Sequence, residues 1–297
     1  MTKVVSDQSK PHAARVLPGA PGRASAFVDA GAVGALFWLT MRQYCRGKRL
    51  LILSLLFALP TVIAILARST SPEQRLAGLE FGMIFSLIPQ ALVPLTALLY
   101  ASGMIQDEIE DQTLTYLLIR PLRKWTIYVV KLCATILVTI LLSAVFTMTA
   151  FVAVHWGTPE LWQEALFWRV LKTFGLLALT LVAYCSIFGW LSLFVKRSLV
   201  AGVAYIIVLE GILGNIDFAV RRLSVIYYFR VLALRWLHAD WATGRGGAAE
   251  NWSIPLDSAP SASTCIEILL AAGLVATVLA AAIFTTREFR VKTPEGS

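Results

Sequence analysis

Charge is scarce in this chain. Of its 297 residues, 15% are charged and 58% hydrophobic, against about 25% charged and 45–50% apolar in soluble domains. A soluble core cannot hide that excess of apolar surface. Cysteine and histidine are few and dispersed. Cys45, Cys133, Cys185 and Cys265 form no Cys-x-x-Cys pair, so no zinc or disulfide framework is encoded and each reads as a small buried hydrophobe. His12, His155 and His238 lie too far apart in sequence to indicate a metal site. Catalytic motifs are missing as well. Gly47-Lys48 is the only Gly-Lys pair, and it lacks the upstream glycine and following Ser/Thr of a phosphate-cradling loop. H-E-x-x-H and G-x-S-x-G do not occur, which removes zinc-hydrolase and serine-hydrolase readings. The expectation is a chain with no catalytic residue, no cofactor and no metal of its own. Residues 1–26 have no apolar run and carry three prolines and two glycines. They read as a disordered tail, neither signal peptide nor span.

What the chain does have is long uncharged runs. A helix needs roughly 20 apolar residues to cross about 30 Å of hydrocarbon. Runs near that length occur at Leu50–Ala67, Phe81–Tyr100, Leu132–Val154 (within a span of about 127–154), Thr173–Val195, Leu199–Ile216 and Cys265–Thr285. The predicted fold is all-α: a single polytopic membrane domain over 27–297 with six transmembrane helices. The first and fifth runs only just span, and Pro60 lies inside the first.

The formal charge of +8 reads as a topology signal rather than a nucleic-acid footprint. With both termini cytoplasmic, the inside segments hold 17 of the 26 basic residues and 8 of the 18 acidic ones. That asymmetry fits six spans. Before the first span, Phe37, Trp38, Leu39 and Tyr44 alternate with Arg42, Arg46, Lys48 and Arg49. The segment reads either as a helix lying at the interface, aromatics toward lipid and bases toward headgroups, or as a plain positive flank. Between the fifth and last spans, 217–264 reads as an extracellular helical segment and loop. Arg221, Arg222, Arg230 and Arg235 punctuate its first half, and a central arginine costs roughly 2.5–3.5 kcal/mol on insertion scales. That half is expected as helices partly sunk in the outer leaflet, not a seventh span.

Two groups of ionisable residues stand out. Glu210 sits inside the fifth apolar run, where a carboxyl marks a pathway or a buried partner by default. Because Asp217 follows closely, a position near the outer interface is favoured for it. The second group is Asp107, Glu108, Glu110 and Asp111, in a segment read as a helix from Ile105 to Ile119 and closed by Pro121. Carboxylates at i,i+3 and i,i+4 repel by a few tenths of a kcal/mol, so helix stability does not explain four of them. Ile105, Ile109, Thr113 and Tyr116 fall on one stripe. A solvated helix, a metal or diphosphate site, and docking to a cytoplasmic protein all remain open, although no second inside acidic cluster supports the metal reading.

The run from Glu108 to Arg123, E-I-E-D-Q-T-L-T-Y-L-L-I-R-P-L-R, followed by Lys131, resembles the permease subunits of type-2 ATP-binding-cassette transporters. Thr113, Leu114, Leu117, Leu118, Pro121, Arg123 and Lys131 match that pattern, while Gln112 stands where a glycine is frequent. The resemblance implies an exporter subunit in a bacterial inner membrane, with a second copy or related permease and membrane lipid around it. Two separate ATPase subunits would carry ATP and magnesium. It also implies that the 101–126 loop is a coupling helix seated on the ATPase, with Asp107, Glu108, Ile109, Glu110, Asp111, Thr113, Leu114, Tyr116, Leu117, Pro121 and Arg123 at the joint. Arg42, Arg46, Lys48 and Arg49 would lie beside it at the membrane surface. The alternative is a non-transporting scaffold or sensor that recruits a cytoplasmic partner.

Overall fold

A computed structural model describes residues 30–70, 76–110, 123–195, 197–215, 219–237, 252, 254 and 258–286, and among these every regular element is a helix. The disordered tail expected over 1–26 lies outside the described residues. Helix α1 (Ala30–Arg46) precedes α2 (Lys48–Thr70). A short α3 (Leu76–Leu79) runs into a π-helical stretch, Glu80–Leu92, and then into α4 (Val93–Glu110). Helices α5 (Lys124–His155) and α6 (Glu164–Phe194) follow. Next come α7 (Ser198–Tyr205), a second π-helical stretch (Ile206–Ile212), α8 (Val225–Leu237) and α9 (Ala262–Thr286).

Among the described residues, five helices are long and apolar enough to cross a membrane: Lys48–Ala67, Glu80–Glu108, Lys124–His155, Glu164–Phe194 and Ala262–Thr286. The 23 residues of α2 alone rise roughly 35 Å at 1.5 Å each. Pro60 is accommodated inside it without ending it. The expected fifth span, 199–216, is a shorter apolar helix, Ser198–Ile212, whose second half winds as a π-helix before a 3₁₀ turn at Leu213–Asn215. The second span does not stop at Tyr100: the helix continues to Glu110, with Ala101 to Ile105 buried, so the first part of the expected 101–126 loop belongs to the bundle.

The core surrounds α6, the most enclosed of the long helices, which packs against α4, α5, α8 and α9. Helices α2 and α9 lie at the periphery, with Leu51, Leu55, Leu66, Leu274 and Val278 exposed. That is the arrangement of a bundle whose outer helices face hydrocarbon. The 218–241 stretch, expected as helices against the outer leaflet, forms a 3₁₀ turn (Ala219–Leu223) and α8, and every residue from Val225 to Leu234 is buried. Protein, not lipid, surrounds Val225–Leu234, while Leu223 just before it is exposed.

Candidate functional site

In the last turns of α4, Gln106, Asp107 and Glu108 are consecutive, and their side chains reach three different parts of the bundle. Successive helical residues point about 100° apart, so one short run serves several neighbours. Asp107 takes a two-pronged contact from Arg49 at the start of α2, with both N–O distances 2.7 Å. Glu108 pairs with the buried Lys131 of α5, whose Nζ also donates to the Met104 carbonyl at 3.0 Å. Gln106 donates through Nε2 to the Val195 carbonyl at 2.9 Å, and its Oε1 accepts from the Ser198 hydroxyl at 2.7 Å. Gln106 thus bridges the turn between α6 and α7. Gly103, one turn before Asp107, lets Arg49 lie against α4, because a Cβ there would collide with the guanidinium.

Helix α1 is fixed to this end of the bundle by its inner face. Leu36 packs with Ile127 and Val130 of α5. Tyr44 is buried against Tyr100, ring centroids 5.2 Å apart. Its hydroxyl shares a 3.1 Å hydrogen bond with Thr135, whose own proton goes to the Lys131 carbonyl. Burial pushes the Tyr44 phenol well above its ordinary pKa, so it stays protonated as a donor. The outer face exposes Trp38, Leu39, Arg42 and Arg46. Of the aromatics expected toward lipid, Trp38 is exposed, whereas Tyr44 is buried and Phe37 packs partly against the Leu36 cluster.

A second set of polar contacts seats α8. Glu210, expected near an interface, is fully buried, and its two carboxyl oxygens accept the backbone N–H groups of Val225 at 3.1 Å and Ile226 at 3.0 Å. These are the first amides of α8, which no intrahelical carbonyl can reach. Further along α8, Arg230 donates to Gln90 Oε1 at 3.1 Å and the Gly214 carbonyl at 3.3 Å, and lies 5.6 Å from the Trp252 ring centroid. Gln90 and Glu210 each come from one of the π-helical stretches. At the opposite end of α5 from Lys131, buried Glu80 accepts both contacts of Arg169 at 3.2 Å, with His155 Nε2 at 3.7 Å.

Of the residues the sequence singled out, Arg49, Asp107 and Glu108 are brought into one cluster. Contrary to the expectation that the acidic run meets a partner's basic rim, the Asp107 and Glu108 carboxylates are engaged within the chain. Ile109 and Glu110 continue the helix, while Asp111, Thr113, Leu114, Tyr116, Leu117 and Pro121 lie outside the described residues. Arg123 is exposed and opens α5, its carbonyl accepting the Thr126 N–H at 3.0 Å. Lys48 is exposed beside Arg49. Sequence reasoning missed Gln106, Glu80 and Arg169. Glu80 at the edge of an apolar run was the one legible signal among them.

The junction ties the end of α4 to the starts of α2 and α7, the end of α6 and the first turns of α5. Among curated proteins no relative matches the chain. Residues 46–213, more than half of the chain, match the family described as ABC-2 family transporter protein. That stretch runs from the start of α2 through the α4 junction to the second π-helical stretch. With apolar helices long enough to span a membrane, this chain belongs to the ABC-2 transporter family as a multi-pass membrane permease component.

Proposed function

We propose that the chain is the permease of an ATP-driven exporter, working with a separate ATP-binding-cassette ATPase that carries ATP and magnesium. The observation that carries this reading is the fan of contacts from Gln106, Asp107 and Glu108 to the neighbouring helices. Two permease copies would form the pathway above two ATPase subunits. The segment after Glu110 would sit on the ATPase with both chain termini on that same, cytoplasmic side of a bacterial inner membrane. Because Asp107 and Glu108 hold the permease itself together, the contact with the ATPase falls to Ile109, Leu114, Tyr116 and Leu117, with Glu110 and Asp111 steering the approach.

The test is co-purification followed by reconstitution in vesicles. An ATP-hydrolysing subunit is expected to accompany the chain. Tyr116→Ala or Leu117→Asp is expected to lower transport per ATP hydrolysed by tenfold or more, about 1.4 kcal/mol of lost coupling. Asp111→Asn is expected to slow assembly while leaving that ratio within about twofold, the behaviour of rim charges. A chain that purifies without any ATPase, or Tyr116→Ala complexes with unchanged coupling, would refute the assignment.

A further inference from the structure

Helices α2 and α5 touch through a stacked pair, Phe57 and Phe146, with centroids 5.1 Å apart and planes at 16°. Beyond that pair, away from the Gln106–Glu108 junction, they flank an open cavity of about 700 Å³. Its walls are single helical stripes: Thr61, Ile65 and Ser69 at i, i+4, i+8 of α2, and Met148, Val152 and Trp156 at the same spacing on α5, with Thr149 and Ala153 between. Small residues on both stripes leave the space open, and the volume falls in the range of about 300–1,000 Å³ typical of small-ligand sites.

Two of the three hydroxyls in the walls are turned to their own backbone. Ser69 donates to the Leu66 carbonyl at 2.7 Å and Thr149 to the Phe146 carbonyl at 2.8 Å, so both protons are held by their own helices. Only the buried Thr61 hydroxyl makes no hydrogen bond. The rest of the lining, Ile65, Met148, Val152, Ala153 and the Trp156 ring, is apolar. Both walls belong to helices fit to span a membrane, and Val62, Leu66 and Val145 are exposed beside the opening. The cavity opens sideways into hydrocarbon. At its far end stands exposed Trp156, at the terminus of α5 where an aromatic ring meets headgroups. From Thr61 to Ser69 the slot runs roughly 12 Å along α2 at 1.5 Å per residue.

We propose that this cavity is a specific binding site for one acyl chain of a membrane phospholipid. The chain would enter beside Ser69 and Trp156 and end on the Phe57–Phe146 stack, so that lipid fills the gap between α2 and α5. A helix from a second copy is 10–12 Å across with its side chains, too thick to enter a slot between two helices that touch at their Phe pair.

Full-length protein in vesicles of phosphatidylglycerol and phosphatidylethanolamine, doped with a phospholipid bearing a diazirine near the acyl terminus, tests this. Labelling of Thr61, Met148 and Val152 is expected to exceed that of the exposed Leu51, Leu55 and Leu141 at least fivefold. Native mass spectrometry after detergent exchange is expected to show one retained phospholipid per chain. Ala153→Phe, which fills the slot, is expected to abolish both signals, with the milder Ala153→Leu reducing them and serving if the larger variant does not fold. Equal labelling of cavity and periphery, no retained lipid, or signals unchanged in a folded filled variant would overturn the proposal. So would labelling that appears only when the chain is diluted into excess lipid, the mark of a second copy covering the site. All of these readouts need neither ATPase nor transported substrate.

Discussion

Replacing Glu210 with alanine is the perturbation whose consequence the structure specifies best. Its carboxyl oxygens accept the Val225 and Ile226 amides at 3.1 and 3.0 Å in a fully buried setting. Alanine leaves both N–H groups buried without acceptors, at roughly 1–3 kcal/mol each. The two together come to about 2–6 kcal/mol, and the loss of a helix cap, about 0.5–2 kcal/mol, meets that range at its lower end, about 2 kcal/mol. Glutamine keeps one acceptor oxygen but turns its NH₂ toward the second amide, so Glu210→Gln should lose about half as much. The effect is local, because α8 has no other acceptor for those two amides. Hydrogen exchange at Val225 and Ile226 is the direct assay: Glu210→Ala should speed it at least thirtyfold, about 2 kcal/mol, with Glu210→Gln between it and the parent. Thermal unfolding in detergent should fall in the same order. If Glu210→Ala leaves exchange at these amides unchanged, the seat of α8 lies elsewhere and the carboxyl is free for a pathway role.

The junction and the close helix contacts yield three further expectations. Lys131→Met leaves Glu108 without its partner, and breaking a buried pair from one side costs about 3–5 kcal/mol; the double variant Lys131→Met/Glu108→Gln should recover most of that stability in thermal unfolding. Arg49 and Asp107 are each about one-third exposed, at 33% and 30%, so solvent weakens their attraction and a double-mutant cycle should return about 0.2–1 kcal/mol of coupling. Gly202→Ala would drive a Cβ into the buried Leu98 side chain, an overpacking cost of about 1–3 kcal/mol. Gly175→Ala, with nothing within 4 Å of its Cβ, is the neutral control.

The helical class, the long spans and the family were legible because each is written in contiguous residues. A span needs an unbroken apolar run, and the Glu108–Arg123 motif is continuous. What was not legible depends on residues far apart in sequence. Arg49 and Asp107 are separated by 58 positions, Gln106 and Ser198 by 92, and Gln90 and Arg230 by 140. No spacing rule reaches across such gaps. Glu210 and Arg230 were each read from the cost of leaving an ionisable group facing lipid, Glu210 as near the outer interface and Arg230 as a reason to keep its helix at the membrane surface. That reasoning failed because it lacked their partners: the first amides of α8 for one, Gln90 and Gly214 for the other.

The same physics divides the acidic run. A carboxylate at the edge of an apolar bundle is stabilised most by a cation already beside it, and Asp107 and Glu108 each have one, from α2 and α5. Their charges therefore fasten the end of α4 to the first and third spans and contribute little outward field. A stiff lever needs this arrangement: the arm that receives a push must be tied to what it moves. If Asp107 and Glu108 faced outward instead, a partner could grip the segment after Glu110 and bend it without shifting the bundle. Anchoring by the first pair of carboxylates is what would make a grip on the residues beyond them mechanically useful.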